Sequence, residues 1–357
     1  MKIKEIEEIF NNFNHDVKFV SVEELNSGHI NSTYLIKTVE KPFYILQRIN
    51  HFVFKDISAL MSNKVKITNH LAVKTSNYKT LTFVSIKGGE YYYKDKNGSF
   101  WSLMLYIHDS KSFEKVVDDE IAYEGGKLFG DFLNSTADFD ASQLFETIPN
   151  FHDMEFRFSE FDIALKKASE KRLKSAKNQI LKVQNYRAEM MILNNLKKSG
   201  ELPIRTTHND TKISNALFTT DNKGFCVIDL DTVMPGIVHH DFGDAIRTIC
   251  NTADEDEKDL SKVLFNFPYY KRFVNGFLTE LNTNITNKEI ISLPQGAKAM
   301  TFIMAIRMLT DFLNNDVYYR TNYTFHNLDR AKNQLKLIVE MEKYFEEMQR
   351  EVNMYLK

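Results

Sequence analysis

The sequence predicts an α+β chain of two lobes, a small antiparallel β-rich N-terminal lobe over residues 1–108 and a larger, mainly helical C-terminal lobe over 109–357. Three observations predict it. Short runs rich in β-branched and aromatic residues, separated by turn residues, crowd the stretch before residue 108. Helical spacing dominates beyond it. A single hairpin pattern, NALFTTDNKGFCVIDLD, then interrupts the helices about two thirds of the way along.

Taken in order, MKIKEIEEIFNNF spaces Ile3, Ile6, Ile9 and Phe10 along one side of a helix. VKFVSVEEL, STYLIKTV and KPFYILQRI come next as strands. Residues 56–73 return to helical periodicity, with Asp56 or Ser58 as the cap. Asn97-Gly98 between two aromatic runs signals a tight hairpin. DDEIAYEGGKLFGDFL and the proline-free stretch from Glu155 to Lys198 read as helices, closed by Pro203. After the hairpin, two or three further helices are expected up to Lys357.

The composition narrows the class of activity. With 43% apolar residues, 26% charged residues and a net charge of -2, the chain is an ordinary globular protein and not a strongly basic nucleic-acid binder. No stretch approaches the roughly 18 apolar residues of a membrane span. The first residues lack the apolar core and cleavage site of a signal peptide. Two cysteines, Cys226 and Cys250, form no metal or redox spacing, so a cytoplasmic location is expected.

The chemistry concentrates between His208 and Asp244. His208, Asp210, Lys212 and Asn215 lie just before the hairpin, and Asp229 and Asp231 come after its second apolar run. Phosphoryl transfer needs a carboxylate to orient the attacking hydroxyl, oxygen ligands for magnesium and a cation near the moving group. The kinase pattern H-R-D-L-x-x-x-N places a metal-binding Asn five residues after the base, and Asp210 and Asn215 keep that spacing. Lys212 then stands beside the γ-phosphate, and Asp229 takes the place of the magnesium-binding Asp of D-F-G.

At these residues the chain resembles the aminoglycoside phosphotransferase and choline kinase superfamily, and within it the N-acetylhexosamine 1-kinases. THNDTK with Asn215, VIDLDTVMPG and DFGD-x-IR carry the resemblance, together with SGHINSTY, YILQRIN and WSLMLYIHDSKSFE nearer the start. The resemblance implies a protein-kinase-like two-lobed fold. It also implies transfer of the ATP γ-phosphate to the anomeric hydroxyl of N-acetylglucosamine or N-acetylgalactosamine, with ATP and magnesium as cofactors. Asp210 would be the base, assisted by Lys212, and Asn215 and Asp229 would hold the metal. His29, Asn31, Arg307 and Tyr318 would face the sugar. Gly28, Arg48 and the backbone of Leu105–Ile107 would face the nucleotide.

The chain departs from the kinase pattern in its N-terminal lobe. Ser27-Gly28-His29 is the only candidate for a glycine-rich loop, and YILQRIN offers Gln47 or Arg48 where a strand lysine is usual. Guanidinium suits phosphate, which favours Arg48, but strand alternation leaves the choice between the two open. LMSNKVKITNHL shows no glutamate partner.

Competing readings attach to the same residues. His208 fits a structural role better than proton transfer. His239, His240 and Asp241 raise a metal-hydrolase reading, although no further cluster completes it. Arg307 has Asp311 four residues on as a possible helix partner. The alternatives to a sugar kinase are a kinase for an amino alcohol, homoserine or an aminoglycoside, or a non-catalytic binding module of the same fold.

Overall fold

In the computed structural model, which describes residues 3–25, 30–74 and 78–357, the N-terminal runs form one antiparallel sheet. Strands β1 (Phe19–Leu25), β2 (Ser32–Thr38) and β3 (Tyr44–Ile49) pair in sequence order. β4 (Phe83–Val84), β5 (Tyr93–Lys94) and β6 (Phe100–Leu105) complete the sheet, with β6 between β3 and the two short strands. Asp95 closes the turn at Asn97-Gly98, its carboxylate accepting from the Asn97 and Ser99 amides and from the Trp101 indole.

Successive side chains of a strand point to opposite faces, and here the two faces serve different cores. Tyr44 and Leu46 join Tyr34, Ile36, Trp101 and Leu103 beneath α1 (Ile3–Phe10). Ile45 and Ile49 face the other way, toward α2 (Ile57–Ala72) and the main core. Asp56 caps α2 by accepting from the Ala59 amide at 2.9 Å, which satisfies one of the orphan donors of the first turn.

The chain leaves β6 at Leu105 and enters the C-terminal lobe as β7 (Ser110–Ser112). That strand, β8 (Arg205–Thr207), β9 (Ala216–Thr219), β10 (Gly224–Val227) and β11 (Met234–Gly236) make two small sheets, β10-β9-β7 and β11-β8. The rest is helical: α3 (Asp119–Ser135), α4 (Met154–Lys167), α5 (Glu170–Ser175), α6 (Lys177–Met190), α7 (Ile192–Lys198), α8 (Val238–Ile249), α9 (Phe267–Leu281), α10 (Asn287–Leu313), α11 (His326–Glu342) and α12 (Phe345–Asn353). The architecture is thus the α+β, kinase-like arrangement expected from the sequence. Five helices come after β11 where two or three were expected. The break after α11 falls at Lys343 and Tyr344, where neither glycine nor proline marks it.

Bare backbone holds α3 against α9. A Cβ at Gly276 would lie 2.2 Å from the Tyr123 carbonyl oxygen, and one at Gly126 would lie 2.4 Å from the Phe273 carbonyl oxygen. Neither contact can yield without moving a helix. Gly276→Ala is therefore expected to destabilise the fold by about 3 kcal/mol, the upper range for overpacking a tight interior. A thermal melt checks this, and an unchanged midpoint would show that the helices separate at little cost.

Candidate active site

β8 delivers the chain to His208, and α8 fixes the loop that begins there. The Asp241 carboxylate accepts from the His208 amide at 2.8 Å and the Asn209 amide at 2.7 Å. Asn209 adopts a left-handed φ of 64°, and its side-chain amide donates to the carbonyls of Thr207 and Thr232. His208 is fully buried between Phe129 and Phe132, with Nδ1 near the Asp210 amide and Nε2 2.9 Å from the Ile228 carbonyl. Its ring is spent on holding the loop, which is the structural role the sequence favoured.

The loop leaves the Asp210 carboxylate partly exposed. Asn215 Nδ2 donates to Asp210 Oδ2 at 2.8 Å, and Lys212 Nζ lies 3.1 Å from the same oxygen. Oδ1 takes no hydrogen bond or ion pair among the described residues. Burial pushes the Asp210 carboxyl up, but the Lys212 ammonium and the Asn215 amide outweigh it and hold the group below the usual carboxylate range. Burial pulls Lys212 down, and Asp210 and Asp229 more than offset it, so the lysine stays charged.

Asp229 reaches the same place through the β9–β10 hairpin. Val227 pairs with Ala216, and the Ile228 amide donates to the Asn215 carbonyl at 2.9 Å. Asn215 and Asp229 therefore sit side by side at the base of the hairpin. Asp229 has a left-handed φ of 59°, a conformation that Asp tolerates better than most residues. Its carboxylate has no hydrogen-bond or ionic partner among the described residues, and burial together with Asp231 and Asp210 pushes it up to about 7.

This donor set fits magnesium. Among the described residues no group of three His, Cys, Asp or Glu side chains could hold a metal unaided. Magnesium keeps most of its shell as water and phosphate oxygens, with one or two protein ligands. The amide nitrogen of Asn215 is committed to Asp210, which leaves its oxygen for a cation beside the unneutralised Asp229.

Asp231 turns away from that pair and toward the N-terminal lobe. Asn31 Nδ2 donates to Asp231 Oδ2 at 2.5 Å, and the ammonium of Lys64 on α2 pairs with Oδ1. Asn31 Oδ1 accepts from the Asn50 amide at 2.9 Å. The side chain of Asn31 is thus occupied within the joint between the lobes. Lys64, which spacing alone did not single out, is almost fully buried there.

Arg48 does not lie on the inner face of the sheet. It shares the strand parity of Tyr44 and Leu46, is exposed, and lies near Asp95, whose carboxyl its charge helps to lower. Gln47 occupies the inner face instead, beside Ser102 of β6. The Ile107 amide takes no backbone hydrogen bond among the described residues, while its carbonyl accepts from the Ser110 hydroxyl. Gly28 and His29 lie outside the described residues.

His152, which feels the charges of both Asp210 and Arg307, leads from the loop to a group of aromatic rings. His152 Nε2 approaches the Asn209 carbonyl at 3.1 Å, and burial pushes its ring down to about 3, so it is neutral and donates. Next to it the Arg307 guanidinium lies over Phe151, Tyr318 and Tyr319, 5.2–5.9 Å from their centroids. Arg307 has no carboxylate partner among the described residues. Asp311 is engaged elsewhere, accepting from the amides of Val317, Tyr318 and Tyr319 and from Asn327.

Comparison with solved structures agrees with this architecture. A microcompartment-associated aminopropanol kinase superposes with a TM-score of 0.64 at 12% identity, over 97% of this chain and 98% of that one. Spectinomycin phosphotransferase APH(9)-Ia, solved with ADP and spectinomycin, gives 0.60 at 11% identity over 97% and 99%. An ethanolamine kinase of Plasmodium vivax gives 0.55 at 14% identity over 89% and 82%. At such identities the likeness is one of fold. Residues 21–262, more than half of the chain and including both the loop from His208 to Asn215 and the hairpin, match the phosphotransferase enzyme family APH. The chain belongs to that phosphotransferase family.

Proposed function

We propose that the protein is an ATP-dependent kinase that phosphorylates the anomeric hydroxyl of an N-acetylhexosamine, giving the sugar 1-phosphate and ADP. The observation that carries the transfer step is the division of labour on Asp210. Both cationic and amide donors bind Oδ2, which leaves Oδ1 of an ionised, partly exposed carboxylate without a partner among the described residues. In the reaction the sugar hydroxyl donates to Oδ1, and its oxygen forms the bond to the γ-phosphorus as the bond to the β-phosphate oxygen breaks. The proton passes to Asp210. A carboxylate held this low is a weak base, so the proton moves late and Asp210 acts first by aiming the hydroxyl, as suits a loose transition state. Lys212 balances the charge that gathers on the phosphates. Magnesium, held by Asn215 and Asp229 with phosphate oxygens, would neutralise the triphosphate. The inner face of the sheet and the Leu105–Ile107 backbone would take the nucleotide.

The acceptor assignment rests on Arg307. A guanidinium with no carboxylate partner among the described residues, set beside tyrosine rings, repels a protonated amine and suits a neutral, oxygen-rich ligand with a carbonyl acceptor. This weighs against the amino alcohols named for the aminopropanol and ethanolamine kinases of the same fold. An ADP-release screen over N-acetylglucosamine, N-acetylgalactosamine, glucosamine, galactosamine and choline tests it, with phosphorus NMR to locate the ester. Turnover on the N-acetyl sugars with an anomeric phosphate is expected. Arg307→Met should raise the acceptor KM about 10- to 100-fold, the loss of a charged hydrogen bond, and leave the KM for ATP in place. Preference for choline overturns the acceptor assignment, and no ADP release with any acceptor favours a binding module.

A further inference from the structure

In protein kinases a strand lysine pairs with a glutamate on the helix beside it, and the pair must be formed for activity. The elements are present here with different contents. The inner-face strand position holds neutral Gln47, whose side-chain oxygen is buried and has no partner among the described residues, as is true of the hydroxyl of Ser102 across from it. The cation comes from the helix instead, as Lys64 of α2, and the carboxylate from the hairpin, as Asp231. The two side chains are 2% and 6% exposed. We propose that Lys64 is a positioning residue for phosphoryl transfer, acting through Asp231 to set the N-terminal lobe against the turn that carries Asp229.

The surrounding contacts are built for that task. Both oxygens of Asp231 are taken by the N-terminal lobe, one by Lys64 and one by Asn31. Asn63, next to Lys64, donates to the Val233 carbonyl at 2.9 Å and the Phe145 carbonyl at 2.8 Å, and accepts from the Phe145 amide at 2.9 Å. Two consecutive residues of α2 therefore grip the segment from 231 to 233. Asp229 lies two residues before that segment, in a left-handed turn with no side-chain bond of its own. Its position depends on the groups that hold Asp231. A buried ion pair is a poor device for stability alone, because apolar residues of similar volume do as well or better. It is a good device for fixing one geometry, since an ammonium and a carboxylate tolerate few arrangements when dry.

The inference rests on the phosphotransferase reading and not on the sugar, so the test uses whichever acceptor the wild-type enzyme turns over in the ADP-release screen. The variant is Lys64→Met/Asp231→Asn, which removes both charges, leaves no buried charge unpaired and keeps an oxygen to accept from Asn31. A melting temperature near wild type is expected, with acceptor KM unchanged and kcat lowered about 100-fold, the usual consequence of a small misplacement of reacting groups. Wild-type kcat in this variant overturns the proposal. Should the double variant fail to fold, Lys64→Arg keeps the pair but lengthens one arm. Reduced kcat at an unmoved melting temperature supports the proposal there, and wild-type kcat again overturns it. Failure of the N-acetylhexosamines alone, with another acceptor turned over, overturns the sugar assignment and leaves this test in force. A wild-type protein that transfers phosphate to no acceptor overturns both.

Discussion

Asp210→Asn is expected to lower turnover toward 10,000-fold, the upper end for a group that orients and deprotonates a nucleophile, while nucleotide binding and the melting temperature stay near wild type. The amide is nearly the shape of the carboxylate, and the loop does not depend on it. His208 and Asn209 are held by Asp241, and Thr232 donates to the His208 carbonyl at 2.7 Å. The substitution removes the ionised carboxylate and the counter-charge of Lys212. Kinetics with nucleotide affinity measured alongside decide it. Turnover within tenfold of wild type would remove Asp210 from its role.

The second large effect concerns Asp229 and acid. Its carboxyl stands at about 7 in the folded, cation-free protein and near 3.9 in an unfolded chain. A raised carboxyl favours the folded state where it is protonated. That contribution is present below about pH 4 and is lost as pH rises through about 7. A cation binding there must displace the proton at any pH below about 7. Magnesium affinity should accordingly be flat above that point and weaken about tenfold per pH unit beneath it. Asp229→Asn should erase the slope and lower turnover roughly 1000-fold, the effect of losing a principal electrostatic contact in the transition state. Magnesium titrations from pH 6 to 8 with both proteins test this. A pH-independent affinity in the wild type would separate Asp229 from the metal.

The parts of the site that share a loop or a hairpin were legible in the sequence, and the parts that meet across the molecule were not. Asp210, Lys212 and Asn215 fall within one short segment, so their spacing carries the geometry with it. Asp229 joins them because a hairpin with a short turn brings its base together. The pairing of Lys64 with Asp231 links residues 167 positions apart, and no local pattern announces it. Nor does composition reveal that Gln47 and not Arg48 lies on the inner face, since both strand faces are partly covered and only register against β6 decides. Helical spacing permitted a bond between Arg307 and Asp311, and the chain after α10 took Asp311 first. The order of a β-rich N-terminal region before a helical C-terminal part was readable because runs of strand period precede runs of helical period in the sequence. Three-residue strands such as β7 and β8 are too short to show a period at all.

Asp311 gives the protein one more property. A single carboxylate suspends residues 317–319 by their amides, and these bonds do not depend on which side chains the segment bears. The exposed Tyr318 can accordingly be exchanged for other residues without losing these backbone bonds, whereas Tyr319 also packs against the core. On the proposed acceptor assignment, substrate preference and transfer chemistry would reside on separate parts, so selection, or an engineer, could redraw the first while inheriting the second.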